Sequence, residues 1–165
     1  MSTLFYTQIN DSPVGPLLLA GDQAALHVLS FGVGTRRREI DAEWQPDTKG
    51  VLNDIRRELD EYFAGRLKQF STPVAFNGTQ FQNIVWQELR RIPYGETISY
   101  LDLAKRIKNP AAVRAVGMAN GANPIAIIVP CHRVIGSNGS LTGFGGGLPT
   151  KRALLELEKG QRTLL

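Results

Sequence analysis

Short apolar runs and turn residues alternate at the beginning of the chain. Short runs that end at Pro or Gly clusters predict β-strands, and three of them occur, at 4–9, 17–20 and 25–31. The segment Asp11-Ser12-Pro13-Val14-Gly15-Pro16 separates the first two. A polar stretch over 32–50, which includes Arg36-Arg37-Arg38, is predicted to be a loop.

Helical spacing replaces this pattern after residue 50. Apolar side chains recur three or four positions apart, which predicts a helix that ends at Gly65; they are Val51, Leu52, Ile55, Leu59, Tyr62 and Phe63. The segment 66–78, with Pro73 and Asn77-Gly78, is predicted to be a connector. We therefore expect a small α+β domain over 1–76 and a second domain over 77–165.

The second half is predicted to be mainly helical. Thr79 is a candidate N-cap for a helix that ends at Ile92-Pro93-Tyr94-Gly95. Ser99 and Asp102 have the spacing of a capping box, and the helix that they open stops at Asn109-Pro110. Pro110 opens another short helix, so the pair predicts a helix-turn-helix.

Three further segments complete the second half. The apolar run 125–129 predicts a β-strand, 136–147 is a glycine-rich loop, and a final helix runs through Leu154, Leu155 and Leu157. The loop has no Gly-Lys-Ser/Thr ending, which argues against a P-loop. The two histidines, His27 and His132, show no metal-ligand spacing.

Composition indicates a globular protein with a core. The 165 residues are 42% hydrophobic and 21% charged, which argues against a disordered or fibrous chain. There is no apolar run of about 18 residues and no secretory signal over 1–6, so we expect a cytoplasmic protein without a membrane partner. A single cysteine excludes an internal disulfide and a zinc site built from cysteines.

Charge is divided unequally between the halves. Residues 1–79 carry 8 Lys/Arg against 10 Asp/Glu, whereas residues 80–165 carry 11 against 5. The net charge of +6 in the second half suits a polyanion, although a solvated basic face would give the same count.

The segment Pro130-Cys131-His132-Arg133 is the strongest candidate for chemistry. A buried, inert cysteine is the ordinary interpretation, but a neighbouring imidazole and guanidinium favour the nucleophilic thiolate. In an extended segment Cys131 and His132 would point to opposite faces. Direct proton transfer between them would then require the chain to turn, and a bridging water is the natural link. A third group should orient the imidazole, and either Glu156 or Glu158 in the last helix could do so.

The helix around Arg114 has almost only small residues on its faces. Small side chains would let its backbone approach a DNA groove while Arg114 reaches into the base stack, although a packed alanine-rich helix would look the same. Lys105, Arg106 and Lys108 precede it and suit phosphate contacts.

These motifs resemble the O6-alkylguanine-DNA alkyltransferases, also called methylated-DNA–protein-cysteine methyltransferases. The segment 129–135, VPCHRVI, matches the active-site motif of that family. The resemblance is strong over 80–160 and looser over the N-terminal part. Supporting matches are Pro93-Tyr94-Gly95-Glu96-Thr97, Ser99-Tyr100, Ala112-Val113-Arg114-Ala115-Val116-Gly117, Ala119-Asn120-Gly121, Asn123-Pro124, Asp11-Ser12-Pro13-Val14-Gly15-Pro16-Leu17 and Tyr62-Phe63-Ala64-Gly65.

The resemblance implies a fold and a reaction. The fold is α+β, with a ribonuclease H-like N-terminal domain and a mostly helical, winged-helix-like C-terminal domain that carries the helix-turn-helix. The reaction is repair of duplex DNA by stoichiometric transfer of an alkyl group from O6-alkylguanine, and as a second candidate O4-alkylthymine, to Cys131. A flipped base, a thioether product, no cofactor, and a monomer whose cooperativity on DNA is undecided belong to the same expectation.

The resemblance also implies roles for individual residues. His132 would deprotonate Cys131 through a water, Glu158 would hold the imidazole, and Asn123 would brace the turn. Tyr100 would donate to the base and rotate a phosphate. The remaining roles are DNA contacts by Arg114, Ala115, Gly117, Lys105, Arg106 and Lys108, and a guanine pocket at Val134, Phe144 and Gly145.

Two departures and two alternatives accompany this expectation. Some members hold zinc through N-terminal cysteines, which this chain lacks, so no metal is expected; and Phe144 stands where many members have tyrosine. A module that binds alkylated bases without transfer is a different interpretation, but such proteins lack the cysteine. A cysteine hydrolase would leave the basic half and the Arg114 helix without a role.

Overall fold

Four strands form the sheet of the first part of the protein. We describe residues 3–141 and 143–160 from a computed structural model. The strands are β1 (Phe5–Ile9), β2 (Leu17–Gly21), β3 (Leu26–Phe31) and β4 (Gln45–Pro46), in the order β3-β2-β1-β4. Strands β1 to β3 confirm the three strands that the apolar runs predicted. They pair antiparallel, and β4 pairs parallel with β1. Met1 and Ser2, at the start of the segment in which no secretory signal was expected, lie outside the described residues, as do Thr142 and 161–165.

The predicted loop over 32–50 contains β4, so that prediction was wrong at two residues. The amide of Gln45 donates to the carbonyl of Leu4 at 3.0 Å, and that of Asp47 donates to the carbonyl of Tyr6 at 2.8 Å. Both strand residues are exposed at the sheet edge, where Pro46 needs no ladder donor. An exposed strand of two residues leaves no apolar pattern, which is why the sequence did not indicate it.

Helix α1 (Asn53–Phe63) packs its apolar face into the core. Ile55, Leu59, Tyr62 and Phe63 are buried, and the chain leaves the helix through Gly65 at a φ of 78°. The predicted connector then pairs briefly with β3: Leu26 donates to the carbonyl of Pro73 at 2.8 Å, and Ala75 donates to the carbonyl of Leu26 at 2.9 Å.

Capping boxes begin two helices of the second part. Thr79 and Gln82 cap α2 (Gln80–Leu89), and Ser99 and Asp102 cap α3 (Tyr100–Arg106), which confirms both predictions. After a 3₁₀ turn at Pro110–Ala112, α4 (Val113–Gly121) completes the helix pair. Strands β5 (Ile98–Ser99) and β6 (Val134–Ile135) pair parallel, and α5 (Leu148–Glu158) is the last helix.

The apolar run 125–129 is a buried turn, so the prediction of a strand was wrong. Ile125 alone bridges to Leu29 of β3, and Ile127 has a φ of 71°. The Asn123 side chain closes the turn, because its Oδ1 accepts from the Ile125 amide at 3.0 Å and its Nδ2 donates to the Val129 carbonyl at 2.8 Å. A short buried apolar run looks the same in sequence whether it is extended or turned.

One hydrophobic cluster runs through both parts. It includes Leu29 of β3, Leu59 of α1, Trp86 of α2, Ile125 of the turn and Leu154 of α5. Within the described ranges, no helix is long and apolar enough to cross a bilayer.

Candidate active site

Cys131 begins a 3₁₀ turn, Cys131–Arg133, directly after the buried turn that Asn123 closes. Its amide donates to the Val129 carbonyl at 2.8 Å, and the Arg133 amide donates to the Pro130 carbonyl at 3.0 Å. The cysteine is 6% exposed and the histidine 0%. These backbone bonds curl the chain, so the segment is a turn and the condition of an extended segment does not apply.

Cys131 lines a pocket between the two parts of the protein. Asn120 and Asn123 lie on one side, and Phe144 and Gly145 of the glycine-rich loop also line it. The Phe144 ring packs against Phe31 with centroids 5.6 Å apart, and the Gly145 carbonyl accepts from the amides of Thr35 and Arg36 at 2.9 and 3.2 Å. These contacts fix the loop over the pocket.

Glu158 is the carboxylate that holds the histidine. Its Oε2 lies 2.7 Å from Nε2 of His132, whereas Glu156 is exposed on the same helix. Arg133 donates from Nε to Oε1 at 2.7 Å and from Nη2 to Oε2 at 3.1 Å, and Tyr62 of α1 donates to Oε2 at 2.5 Å. The choice that the sequence left open is thus decided by burial and contact.

The charge of Glu158 fixes the tautomer of His132. The His132 imidazole and the Arg133 guanidinium outweigh burial and hold the pKa of Glu158 far below its ordinary value of 4.5, so the side chain is ionised. An ionised carboxylate only accepts, so Nε2 of His132 carries the proton and Nδ1 is left as an acceptor. Burial lowers the pKa of His132, which keeps the imidazole neutral at pH 7, and Nδ1 has no hydrogen-bond partner within the described protein.

The Cys131 thiol is less acidic than the sequence predicted. Burial raises its pKa above the ordinary value, while a hydrogen bond from Asn123 and the charge of Lys151 act in the opposite direction. The expectation that His132 and Arg133 make a thiolate was wrong, because desolvation penalises the anion and the guanidinium is turned to Glu158. The resting side chain is a thiol, and a base must take its proton during the reaction.

Lys151 links the pocket to β6. It is fully buried, its Nζ donates to the Val134 carbonyl at 2.7 Å, and it lies 5.8 Å from the Phe144 ring centroid and 6.0 Å from that of Tyr100. Val134 is buried beside the pocket and does not line it, and its carbonyl is already an acceptor for Lys151. Lys151 acts on Cys131 and lies beside the Tyr100 ring, so Tyr100, at the start of α3, is near the pocket.

The predicted DNA-binding residues lie on the helix pair. Arg114 and Ala115 are exposed on α4, and the half-buried Gly117 would place a Cβ only 3.8 Å from the Tyr100 ring. Lys105, Arg106 and Lys108 are exposed at the end of α3 and just after it. Across the described part of the chain none of these four cations is in an ion pair, so their charge is available to a partner.

Comparison with known proteins adds a family to this geometry. The family model described as 6-O-methylguanine DNA methyltransferase, ribonuclease-like domain, matches residues 4–76, and the one described as its DNA binding domain matches residues 80–160. This chain belongs to the 6-O-methylguanine DNA methyltransferase family. The fold class is confirmed with it: a ribonuclease-like sheet unit followed by a helical DNA-binding unit.

Relatives in the 6-O-methylguanine DNA methyltransferase family match over nearly the whole chain. The methylated-DNA–protein-cysteine methyltransferase of Methanosarcina acetivorans is 51% identical over 153 residues, which is 93% of this chain and 97% of the relative. That of Mycobacterium bovis is 52% identical over 151 residues, 92% of this chain and 90% of the relative. The crystal structure of Mycobacterium tuberculosis OGT in complex with DNA superposes with a TM-score of 0.87 at 52% identity, covering 94% of this chain and 93% of that one.

Four residues around the site of this family member were missed by sequence reasoning. Lys151 was not singled out, Tyr62 entered only as part of a helical pattern and a supporting match, and Asn120 entered only as part of a motif. The Asn120 Nδ2 donates to the Cys131 carbonyl at 3.4 Å. Arg36 was placed in a polar loop of the acidic half, yet it lines the Cys131 pocket. The basic character near the pocket is therefore not confined to the second half.

Metal ligation has no visible basis in the described residues, where no three His, Cys, Asp or Glu side chains are grouped to hold an ion. The absence of zinc stays a prediction from the missing N-terminal cysteines.

Proposed function

We propose that this protein repairs alkylated duplex DNA by transferring the alkyl group of O6-alkylguanine to Cys131. The observation that carries the proposal is the position of Cys131 in a pocket, next in sequence to a buried His132 whose orientation Glu158 fixes. Membership of the family and relatives named methylated-DNA–protein-cysteine methyltransferase support the same reaction.

The transfer step follows from the protonation states. Neutral His132 accepts the thiol proton at Nδ1, through a water, and Glu158 stabilises the imidazolium that forms. The Sγ atom then attacks the alkyl carbon, so the S–C bond forms as the C–O6 bond breaks. The purine takes up one proton, with the Tyr100 hydroxyl as the proposed donor. The imidazolium then returns the thiol proton to the phenolate through water, so that both side chains are restored and the net transfer is of one hydrogen from the thiol to guanine.

The helix pair binds the DNA and flips the damaged base into the pocket. Lys105, Arg106 and Lys108 contact phosphates, and α4 lies in a groove with Ala115 and Gly117 towards the DNA. Arg114 fills the space of the flipped nucleotide, which offsets part of the unstacking cost of a few kcal/mol. Phe144 stacks on the base, and backbone groups at Gly145, which also lines the Cys131 pocket, read its edge.

Several further features complete the proposal. The thioether is stable to water, so each molecule reacts once, and the step as written balances without a cofactor. The protein acts as a monomer in the cytoplasm on double-stranded DNA. We place the division between a supporting domain and the transfer domain at 76/77.

Intact-mass measurement tests the proposal. After incubation with a short duplex that contains O6-methylguanine, we expect one CH2 to be added to the protein, on Cys131, and at most one per molecule. The unmethylated duplex and Cys131→Ser are the controls and should add nothing. An unchanged mass with retained binding would indicate a recognition module, and repeated turnover of an activated ester without DNA would indicate a cysteine hydrolase.

A further inference from the structure

Tyr62 is the one residue of the N-terminal helix α1 that donates to the His132–Glu158 pair within the described chain. Its hydroxyl lies 2.5 Å from Oε2 of Glu158, 96 positions away in sequence, and its side chain is 0% exposed. Nothing in the transfer step as proposed uses this contact. This hydroxyl contacts the same carboxylate oxygen that binds His132, so it can change the basicity of the imidazole.

The hydroxyl can only be the donor in this contact. Burial raises the pKa of Tyr62 well above its ordinary value of 10.0, and the charge of Glu158 acts in the same direction, so the phenol keeps its proton. Glu158 is ionised and has no proton to give. Oε2 therefore receives hydrogen bonds from Tyr62 at 2.5 Å, from His132 at 2.7 Å and from Arg133 at 3.1 Å.

Sharing Oε2 among three donors limits its effect on His132. A hydrogen bond donated to a carboxylate stabilises its charged form, so the phenol lowers the basicity of the carboxylate. A less basic carboxylate stabilises the imidazolium less, and the neutral imidazole remains available as a base at pH 7. The contact also holds Oε2 between two rings, which prevents the carboxylate from rotating away from Nε2.

We infer that Tyr62 is a positioning residue through which the N-terminal part of the protein sets the basicity of His132. The inference rests on the proposed function only for its consequence in alkyl transfer. The other ionisable groups around the pair are Arg133 and Lys151, which both disfavour the imidazolium, Tyr94 near Tyr62, and Cys131 in the adjacent pocket. Tyr62→Phe leaves all of them in place and removes one oxygen atom.

A nearby hydroxyl offers a matched control. Tyr94 packs edge-on against Tyr62 with ring centroids 6.3 Å apart, and its hydroxyl donates to the Leu157 carbonyl at 3.5 Å instead of to the carboxylate. Tyr94→Phe therefore removes a phenol oxygen from the same aromatic cluster without removing a donor from Glu158.

The experiment measures the His132 pKa by NMR titration of the ring nitrogens, which needs no DNA. The chain has two histidines, so His27, whose Nδ1 lies 3.4 Å from Asn77 Nδ2, serves as an internal reference. In Tyr62→Phe we expect the His132 pKa to rise by on the order of one unit, and in Tyr94→Phe we expect it to equal that of the wild type. The acid limb of the transfer rate against pH should move upward by the same amount.

The outcomes separate the inference from the proposed function. If the His132 pKa is the same in Tyr62→Phe and wild type, or if Tyr94→Phe shifts it equally, Tyr62 is a packing residue and the inference is wrong. A fall in melting temperature with an unchanged titration leads to the same conclusion. If the shift occurs but the wild type transfers no alkyl group, the positioning role stands and the proposed function fails.

Discussion

Cys131 is the single cysteine of the chain, and buried neighbours determine its protonation state. Lys151 and Asn123 favour the thiolate, while burial of the sulfur outweighs both. The thiol is therefore protonated at rest. His132 is neutral and oriented by Glu158, so it can accept the thiol proton during the reaction. The reactivity of the site therefore depends on single side chains with defined charges.

Removing the charge of Lys151 should make the thiol less acidic. In Lys151→Met we expect the thiol pKa to rise by on the order of one unit, which slows alkylation by a small alkyl halide about tenfold at pH 8. The variant also leaves the Val134 carbonyl without this donor, at a cost of about 1–3 kcal/mol in the free energy of unfolding. The rate is therefore measured against pH at a temperature at which the variant is folded.

Arg152→Met is the matched control for Lys151, because it removes one positive charge from the next, exposed position of α5. It should leave the alkylation profile unchanged. Equal shifts in both variants would assign the effect to net charge instead of to the buried ammonium.

Glu158 should make folding stability depend on acidity. Its pKa in the folded state lies below its ordinary value of 4.5, so its contribution is fully present above that pH and is lost as the pH falls. At pH 7, Glu158→Gln leaves the buried Arg133 without its ion pair, and we expect a loss of about 3 kcal/mol in the free energy of unfolding. The loss should shrink towards pH 3, as urea denaturation at several pH values can measure.

Glu156→Gln controls for the charge change on the same helix. Because Glu156 is exposed, the variant should stay within about 0.5 kcal/mol of the wild type at each pH. A Glu158→Gln deficit that is constant from pH 7 to pH 3 would contradict the assignment of the pH dependence to this carboxylate.

At the scale of elements, two capping boxes and a proline turn position the helix pair. Ser99 and Asp102 fix the start of α3 and with it Tyr100, and the 3₁₀ turn at Pro110–Ala112 sets the entry into α4. On α4 the exposed Arg114 is followed four positions later by Met118, which is 69% exposed. Val116, Ala119 and Asn120 of α4 are buried, so Arg114 lies on the opposite, exposed side of the helix.

Arg114→Ala should slow repair only where a base must be flipped. Since extrusion costs a few kcal/mol, we expect the transfer rate on duplex DNA to fall at least about tenfold. The rate with free O6-methylguanine base should be unchanged, because no stack has to be opened. Stopped-flow or quench-flow measurement of both rates gives the comparison.

Arg90→Ala is a suitable control for the arginine, since Arg90 is exposed at the end of α2 and lies outside the helix pair. It should leave both rates as in the wild type. An unchanged duplex rate in Arg114→Ala would show that this side chain does not assist flipping.

At the scale of the whole molecule, the two parts are joined by backbone and side-chain contacts. Leu29 of β3 exchanges hydrogen bonds with the turn at Pro124 and Ala126, at 3.0 and 2.9 Å. Tyr62 reaches Glu158 across the same boundary. Because the hydrophobic cluster is continuous, the Cys131 pocket exists only when both parts are folded together.

Unfolding should therefore be a single transition. Trp44 lies in the first part and Trp86 in the second, so Trp44→Phe and Trp86→Phe each leave one fluorescent reporter. In each variant, we expect the urea midpoint from tryptophan fluorescence to equal the midpoint from far-UV circular dichroism. Separate midpoints would show that 1–76 and 77–165 unfold as independent domains.

The sequence by itself determined the features that depend on neighbours along the chain. The helical period over 51–63, the N-cap Thr79, the capping pair Ser99–Asp102 and the motif at 129–135 each act within a few residues, so their patterns were sufficient. The strand predicted at 125–129 failed because burial produces the same apolar run in a turn.

Only the tertiary structure decided the electrostatics of the site. It brought Arg133 and His132 onto the same Glu158 carboxylate, placed the ammonium of Lys151 where it acts on the sulfur, and joined Tyr62 to that carboxylate 96 positions away. The physical reason is that the charge of a buried group depends on desolvation and on the groups packed around it. Those neighbours are brought together by folding and leave no local pattern in the sequence.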